Sequence, residues 1–181
     1  IPATGHTYVD GTKTGVVTPE TCKCGLTTYR MDVADATGWN QPTVKMNGKT
    51  APNNEANWDI TGKIPAGKYD IVASVKSSYD SHADRYWYNM AKHGNETAAS
   101  SPDTEAEDDW RYFFKIGDAV KNPTNEKNWG EDGINASTYT AVVVTSGVDF
   151  AGTETSFSLM HGNIGYSLII EFVRLVPVAA K

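Results

Sequence analysis

The residues best suited to chemistry in this chain are aromatic side chains set among polar ones. The densest set lies at 79–89, where Tyr79 precedes the run Tyr86, Trp87 and Tyr88. Aromatic faces stack on the C–H faces of sugar rings, and nearby polar side chains pair with sugar hydroxyls. In an extended strand Tyr86 and Tyr88 share one face, and Trp87 takes the other. Sugar binding is the first hypothesis, and packing in a core is the alternative for each ring.

Three tryptophans elsewhere are further candidates for ligand contact. Trp129 lies in a polar, glycine-rich stretch at 128–133, where a core role is less natural, and Trp39 has a similar setting. Trp110 begins a second aromatic run, for which ligand contact and core packing both stay open. Trp58 is expected in the core, because its surroundings predict a short strand.

The sequence offers little that predicts catalysis. It contains no Gly-x-Ser-x-Gly, no HExxH and no phosphate-binding loop. Glycoside hydrolysis needs two carboxylates about 5–10 Å apart, and the acidic run at 103–109 is more typical of a solvated loop. His82 has Asp80 and Asp84 nearby, which is typical of a surface loop. The protein is therefore not expected to be an enzyme.

Length and charge exclude several partners. The chain has 181 residues and a net charge of −6, which fits one domain of ordinary size. A nucleic-acid partner needs a basic stripe, and none is visible. The sequence contains no run of eighteen apolar residues, so membrane insertion is not expected. The first residues do not resemble a signal peptide, so we expect a monomeric module from a longer multidomain chain, with its targeting signal outside this sequence.

The elements that must position these residues are predicted to be strands. Thr, Val and Ile total 44 residues against 4 Leu, a ratio that favours pleated sheet. Apolar and polar residues alternate over 68–76, and 167–176 is the strongest apolar run. Further strands are expected at 27–33, 57–61, 85–90, 110–116, 138–145 and 155–160. The predicted fold is all-β, a β-sandwich or jelly roll of two antiparallel sheets with long connecting loops at 92–109 and 117–137.

The first 25 residues differ from the rest. They are rich in Thr and Gly without a sustained period, so residues 1–25 are predicted to be an extended arm or linker remnant, and 26–178 the sandwich domain. Cys22 and Cys24 stand one residue apart. Because a bridge across one residue is expected to be strained, two reduced thiols are the leading interpretation. A redox pair or half of a zinc site are the alternatives.

Three sequence runs resemble a known family. The acidic run YRMDVADA at 29–36, the turn-to-strand run IPAGKYDI at 64–71 and the closing run GYSLIIEFVRLVP at 165–177 occur in this order. Together they resemble carbohydrate-binding modules of families six and thirty-five, galactose-binding-like jelly rolls of bacterial extracellular proteins. The resemblance implies a noncatalytic module that targets a larger secreted or cell-surface protein to a polysaccharide or host glycan. The alternative is a structural or adhesive module with a protein partner or no ligand of its own.

The resemblance also implies site residues. Family members often hold a structural calcium ion between the first and last strands, and Asp32 and Glu171 stand at the corresponding positions. The alternative is that these acids are solvated or paired with Arg30 and Arg174. In the family's loop site, Trp129 would be the aromatic platform. Asn163 is the substitute for an asparagine that the family places just before the final strand.

Overall fold

The computed structural model of the protein describes residues 7–38, 44–45, 55–77, 113–121, 124–125, 132–160 and 168–178. In chain order the described elements are β1 (Tyr8–Asp10), β2 (Val17–Cys22), β3 (Thr27–Asp32), the short 3-10 helix η1 (Val33–Asp35), β4 (Val44–Lys45), β5 (Glu55–Asp59), β6 (Gly67–Ser77), β7 (Phe113–Ile116), β8 (Ala119–Lys121), β9 (Thr140–Phe150), β10 (Ser156–Met160) and β11 (Leu168–Pro177).

The described strands form two sheets. One has the order β1-β2-β3-β11-β6-β9, with β4 also pairing with β11, and the other has the order β5-β10-β7-β8. Every pair of neighbouring strands among the described residues is antiparallel. The prediction of an all-β sandwich of two antiparallel sheets is confirmed. The candidate strand at 85–90 lies outside the described residues.

The core lies between the two sheets and follows the period of two along each strand. On β11, Val173 and Leu175 are fully buried, and so is Ile170, which lies three residues before Val173 because β11 is irregular between Ile170 and Phe172. From the smaller sheet, the rings of Trp58, Phe114 and Phe157 form one aromatic cluster, with centroids 5.9 Å and 5.8 Å apart for the pairs that involve Phe157. The prediction that Trp58 is a core residue is confirmed, since it is buried and its indole N–H donates to the Asp32 carbonyl over 2.8 Å.

The segment before residue 26, predicted to be an arm or linker remnant, contributes β1 and β2 to the larger sheet. Its two cysteines form a disulfide, so the expectation of two reduced thiols is wrong. The turn after β2 brings them together, because the Gly25 N–H donates to the Cys22 carbonyl over 2.9 Å. The resulting Cα separation of 5.2 Å lies within the ordinary range for a disulfide.

A buried ion cluster joins this N-terminal hairpin to the last strand. The Glu20 side chain on β2 is 1 % exposed and accepts hydrogen bonds from Arg174 Nε over 2.5 Å and from Arg174 Nη2 over 3.1 Å. Arg30 Nη1 donates to the same carboxylate over 2.8 Å. The Arg174 guanidinium lies between the rings of Tyr8 and Phe172, at 4.3 Å and 4.8 Å from their centroids. Each buried charge therefore has a partner, as burial requires.

Candidate functional site

The sandwich has two ends that differ in their connections. We call the end with short connections the turn end; its connections are 23–26, 60–66, 117–118 and 151–155. We call the opposite end the loop end. The six-residue turn 11–16 between β1 and β2 lies on this side, since Val17 pairs with Met31 beside the end of β3. The name loop-end connections is kept for the other four, 33–54, which includes η1 and β4, 78–112, 122–139 and 161–167.

The strand register places all four loop-end connections at the same end. In the larger sheet, β11 begins at Leu168, which pairs with Ser77 at the end of β6. Near this point β3 ends, since Asp32 pairs with Phe172, and β9 begins opposite Val75. The end of β6 and the starts of β9 and β11 therefore lie side by side, and β3 ends on the same side of the sheet, opposite Phe172 of β11.

The smaller sheet repeats this arrangement. Met160 at the end of β10 pairs with Glu55 at the start of β5 and with Phe113 at the start of β7. Lys121 at the end of β8 pairs with Phe114. The short connections 60–66 and 151–155 join the other ends of these strands to β6 and β9. The loop end is therefore common to both sheets.

Every predicted ligand residue belongs by its sequence position to a loop-end connection. Trp39 belongs to 33–54, Tyr79, Tyr86, Trp87, Tyr88 and Trp110 belong to 78–112, Trp129 belongs to 122–139, and Asn163 belongs to 161–167. All eight lie outside the described residues, so their roles stay predictions. What the structure describes is the set of strand ends from which their segments start and to which they return.

The charged residues are distributed unevenly between the four loop-end connections and the rest of the chain. The 78–112 connection has eight acidic and three basic residues, and the 122–139 connection has three acidic and one basic. The 161–167 connection has no Asp, Glu, Lys or Arg, and 33–54 has one acidic and two basic residues. These four connections together account for the whole net charge of −6, and the rest of the chain is neutral overall. By sequence position, the net negative charge of the chain therefore belongs to the loop-end connections.

The described parts of the loop end are held by local polar contacts. In the 122–139 connection, Asn135 Oδ1 accepts from the backbone N–H groups of Ser137 and Thr138 over 2.8 Å and 2.9 Å, an Asx turn that fixes the chain before β9. Lys13 Nζ lies 2.6 Å from the Asp35 carboxylate and ties η1 to the turn between β1 and β2. These contacts give the long connections rigid starting points.

The two predicted calcium ligands lie on neighbouring strands but have other partners. The Asp32 carboxylate forms an ion pair with Arg30 Nε at 3.0 Å. This is one of the pairings expected as the alternative to calcium. Glu171 occupies an irregularity of β11 between Ile170 and Phe172 and accepts from Ser74 Oγ over 3.1 Å. An added residue in one strand re-aims the side chain at that position.

Within the described ranges, no group of three or more His, Cys, Asp or Glu side chains is placed to hold a metal ion. Calcium takes six to eight oxygen ligands. Asp32 and Glu171 alone do not fit such a site, and further oxygens would have to come from residues outside the described ranges. Calcium binding therefore stays a prediction.

Ionisable groups near this region are shifted by burial and by their neighbours. Burial raises the pKa of Tyr139, and the nearby Glu171 carboxylate raises it further. The Lys76 ammonium lies 4.8 Å from the centre of the same ring. Burial opposes the charged form of Arg30, but the carboxylates of Asp32, Glu20 and Asp10 outweigh it and raise the pKa of that guanidinium. The Tyr139 phenol is therefore neutral and the Arg30 guanidinium is charged, and both take part in contacts within the fold.

No family model matches the chain, and no curated protein matches it. Among solved structures it is similar to a crystal structure titled Podospora anserina GH26-CBM35 β-(1,4)-mannanase, with 13 % sequence identity and a TM-score of 0.48. The match covers 85 % of this chain but spans only 28 % of that one. At this identity and TM-score the similarity does not identify a function. In the part of the chain that is described, no helix has the length and apolar character to cross a bilayer.

Proposed function

We propose that this protein is a noncatalytic carbohydrate-binding module whose loop end binds a polysaccharide or glycan. One observation carries the proposal. The four connections that contain all eight ligand residues chosen from the sequence begin and end at one end of the sandwich. Binding residues are found disproportionately on loops that a rigid scaffold positions. Flat aromatic side chains suit a sugar ring, and the segments that contain them start and return at this one end.

The expected affinity is modest. Each stacked ring contributes about 0.5–1.5 kcal/mol beyond its buried area, and this gain must first offset the loss of translational and rotational freedom on association. A few rings and hydrogen bonds then give a Kd of roughly 10⁻³ to 10⁻⁵ M.

The charge of the loop end indicates which glycans are favoured. Because the connections of the loop end carry the whole net charge of −6, uronate-rich or sulfated polysaccharides would be repelled there. Neutral glycans carry no such penalty. We therefore propose a neutral polysaccharide or glycan, bound with little dependence on salt, whereas residual binding to anionic glycans should increase as salt screens the repulsion.

The proposed setting is a larger secreted or cell-surface bacterial protein in which this chain is a monomeric module. The Cys22–Cys24 disulfide supports an extracellular location, since disulfides persist in oxidising compartments. Tyr8 pairs with Cys22, and the Val178 N–H donates to the Lys68 carbonyl over 2.8 Å. Both described chain ends therefore lie at the turn end, where a neighbouring domain would leave the loop end accessible.

A glycan array tests the proposal directly. We expect the 181-residue chain to bind one class of neutral glycan, and Trp129→Ala to lose that signal. Val9→Ala is the matched control, because Val9 is 64 % exposed and lies outside the loop end. A blank array across plant, mucin and microbial glycans would contradict sugar binding and favour the structural or adhesive alternative. A repeat with chelator tests calcium: a lost signal supports the ion, and an unchanged signal argues against a role for it in binding.

A further inference from the structure

A small recess between two turns of the sandwich is lined by residues that belong to none of the loop-end connections. It lies between the turn that joins β1 to β2 and the turn that joins β5 to β6, and its volume is about 180 Å³. The residues that line it are Thr14, Val17, Pro19, Tyr29, Gly62 and Lys63. All six are described residues outside the loop-end connections. At about 30 Å³ per water, the recess has room for about six waters, which suits one ring-sized molecule.

Its position follows from the strand register. Val17 pairs with Met31 and Pro19 pairs with Tyr29, so these side chains point toward the core side of the larger sheet. Val17 is buried, while Pro19 and Tyr29 are only partly covered. The Tyr29 ring meets Tyr69 edge-on at 6.1 Å, which fixes it in place. The recess therefore has a rigid aromatic and aliphatic lining that is open to solvent.

Two glycines shape the mouth of the recess. Gly15 has φ +61°, and a Cβ there would lie 3.0 Å from Lys63 Cε. Gly62 also has a positive φ, +66°. Such backbone conformations favour glycine, and at Gly15 the missing side chain lets Lys63 lie across the turn. The Lys63 stem thereby becomes one wall of the recess.

The polar groups at the rim are held and electrically balanced. The Lys63 side chain is only 15 % exposed, and its ammonium donates to the Asp59 carbonyl over 2.6 Å. The Asp59 carboxylate lies 3.6 Å from the same ammonium, which offsets its charge. Burial raises the pKa of Tyr29, so its phenol is neutral and able both to donate and to accept. Thr14 adds a hydroxyl. The rim therefore favours a neutral molecule with several hydroxyls.

We propose that this recess binds a single neutral pyranose ring, as a sugar subsite separate from the loop end. The ring would contact Pro19 and Tyr29 with its C–H groups, and its hydroxyls would pair with the Tyr29 phenol and the Lys63 ammonium. The proposal rests on the lining of the recess and does not require the proposed function of the loop end.

NMR titration of the whole 181-residue chain tests this subsite. The probes are methyl α-mannopyranoside and methyl β-glucopyranoside, each added to about 50 mM, because a single ring should bind with a Kd no tighter than roughly millimolar. We expect at least one glycoside to shift the amide signals of Thr14, Gly62 and Lys63. Tyr29→Phe and Lys63→Met should each weaken binding about fivefold or more.

Two controls separate this site from the loop end. Lys68→Met removes an exposed ammonium that pairs with Asp149 and should leave the titration unchanged. Trp129→Ala should also leave the recess signals unchanged, even if it abolishes binding to larger glycans. The proposal is overturned if neither glycoside shifts the recess signals, if both recess variants titrate like the natural chain, or if the shifts disappear in Trp129→Ala. The spectra themselves report whether each variant is folded.

Discussion

The turn end and the loop end of this sandwich are built on opposite principles. At the turn end, short connections are closed by backbone hydrogen bonds, such as Ile60 N–H to the Thr155 carbonyl at 3.0 Å. At the loop end, three of the four connections have eighteen or more residues, and the two at 78–112 and 122–139 are rich in acidic residues. The difference places the described stabilising contacts on the strands and at the turn end, and the candidate ligand residues in the loop-end connections. Substitutions should therefore divide into those that change the free energy of unfolding and those that change binding.

The largest effect on stability is expected at the ion cluster of the N-terminal hairpin. Glu20→Ala would leave Arg174, which is 8 % exposed, without its buried carboxylate. Removing one partner of a buried ion pair costs about 3–5 kcal/mol. Denaturant unfolding should show this loss, while glycan binding of the folded fraction stays unchanged.

Thr21→Ala is the control for this substitution, because it changes an exposed residue of the same strand. An unfolding free energy for Glu20→Ala equal to that of the control would show that the hairpin does not depend on the cluster.

A pair of glycines at the turn end gives an intermediate effect. At Gly152, φ is +80° and a Cβ would lie 2.8 Å from the Ala66 backbone nitrogen. Gly152→Ala should therefore cost about 2–4 kcal/mol from backbone strain and overpacking. At Gly62, φ is +66° but a Cβ would meet nothing within 4 Å, so Gly62→Ala should cost only about 1–2 kcal/mol. Equal losses in thermal unfolding would contradict the close contact between 151–155 and 60–66.

The smallest expected effect concerns pH. Burial slightly opposes the charged form of Glu154, but backbone N–H groups outweigh it, including Ala151 at 2.6 Å and Gly152 at 2.9 Å, and lower the pKa of this carboxyl. A lowered folded-state pKa contributes stability that is complete above the unfolded value of about 4.3 and is lost as pH falls through the folded value.

Glu154→Gln should remove this part of the pH dependence. Because the side chain is largely solvated, the difference in Tm should be less than about 2 °C. Melting curves from pH 7 to pH 3 would show the two proteins converging in acid. Curves that stay parallel over this range would argue against the turn-end capping by Glu154.

The local pattern of apolar and polar residues was sufficient to predict the strands whose inward side chains are apolar. The alternation at 68–76 corresponds to β6, and the apolar run at 167–176 corresponds to β11. The strands β1 and β2 were missed, because β1 has only three residues, and β2 buries the polar side chains of Thr18 and Glu20 and contains Pro19. What holds β2 is a contact between Glu20 and Arg174, 154 residues apart, which no local window contains.

The candidate site could be predicted only as a set of residue types. The sequence indicated which aromatic residues suit a sugar, but it did not indicate that their segments share one end, because that follows from strand register. For the calcium pair, the sequence left calcium binding and pairing with arginine both open, and the structure shows the Asp32 carboxylate paired with Arg30. The disulfide was also missed, since a turn closed by the Gly25 N–H is a three-dimensional feature.

The central claim is that the loop end recognises a glycan and that this recognition can be removed without loss of stability. The most direct test is affinity electrophoresis on neutral mannans, glucans and galactans, run with the natural chain and Trp129→Ala, together with the Tm of both proteins. The account predicts that one polysaccharide retards the natural chain, and that Trp129→Ala loses the retardation at an unchanged Tm. Retardation that survives in the variant, or that disappears only because Tm falls, would contradict the claim.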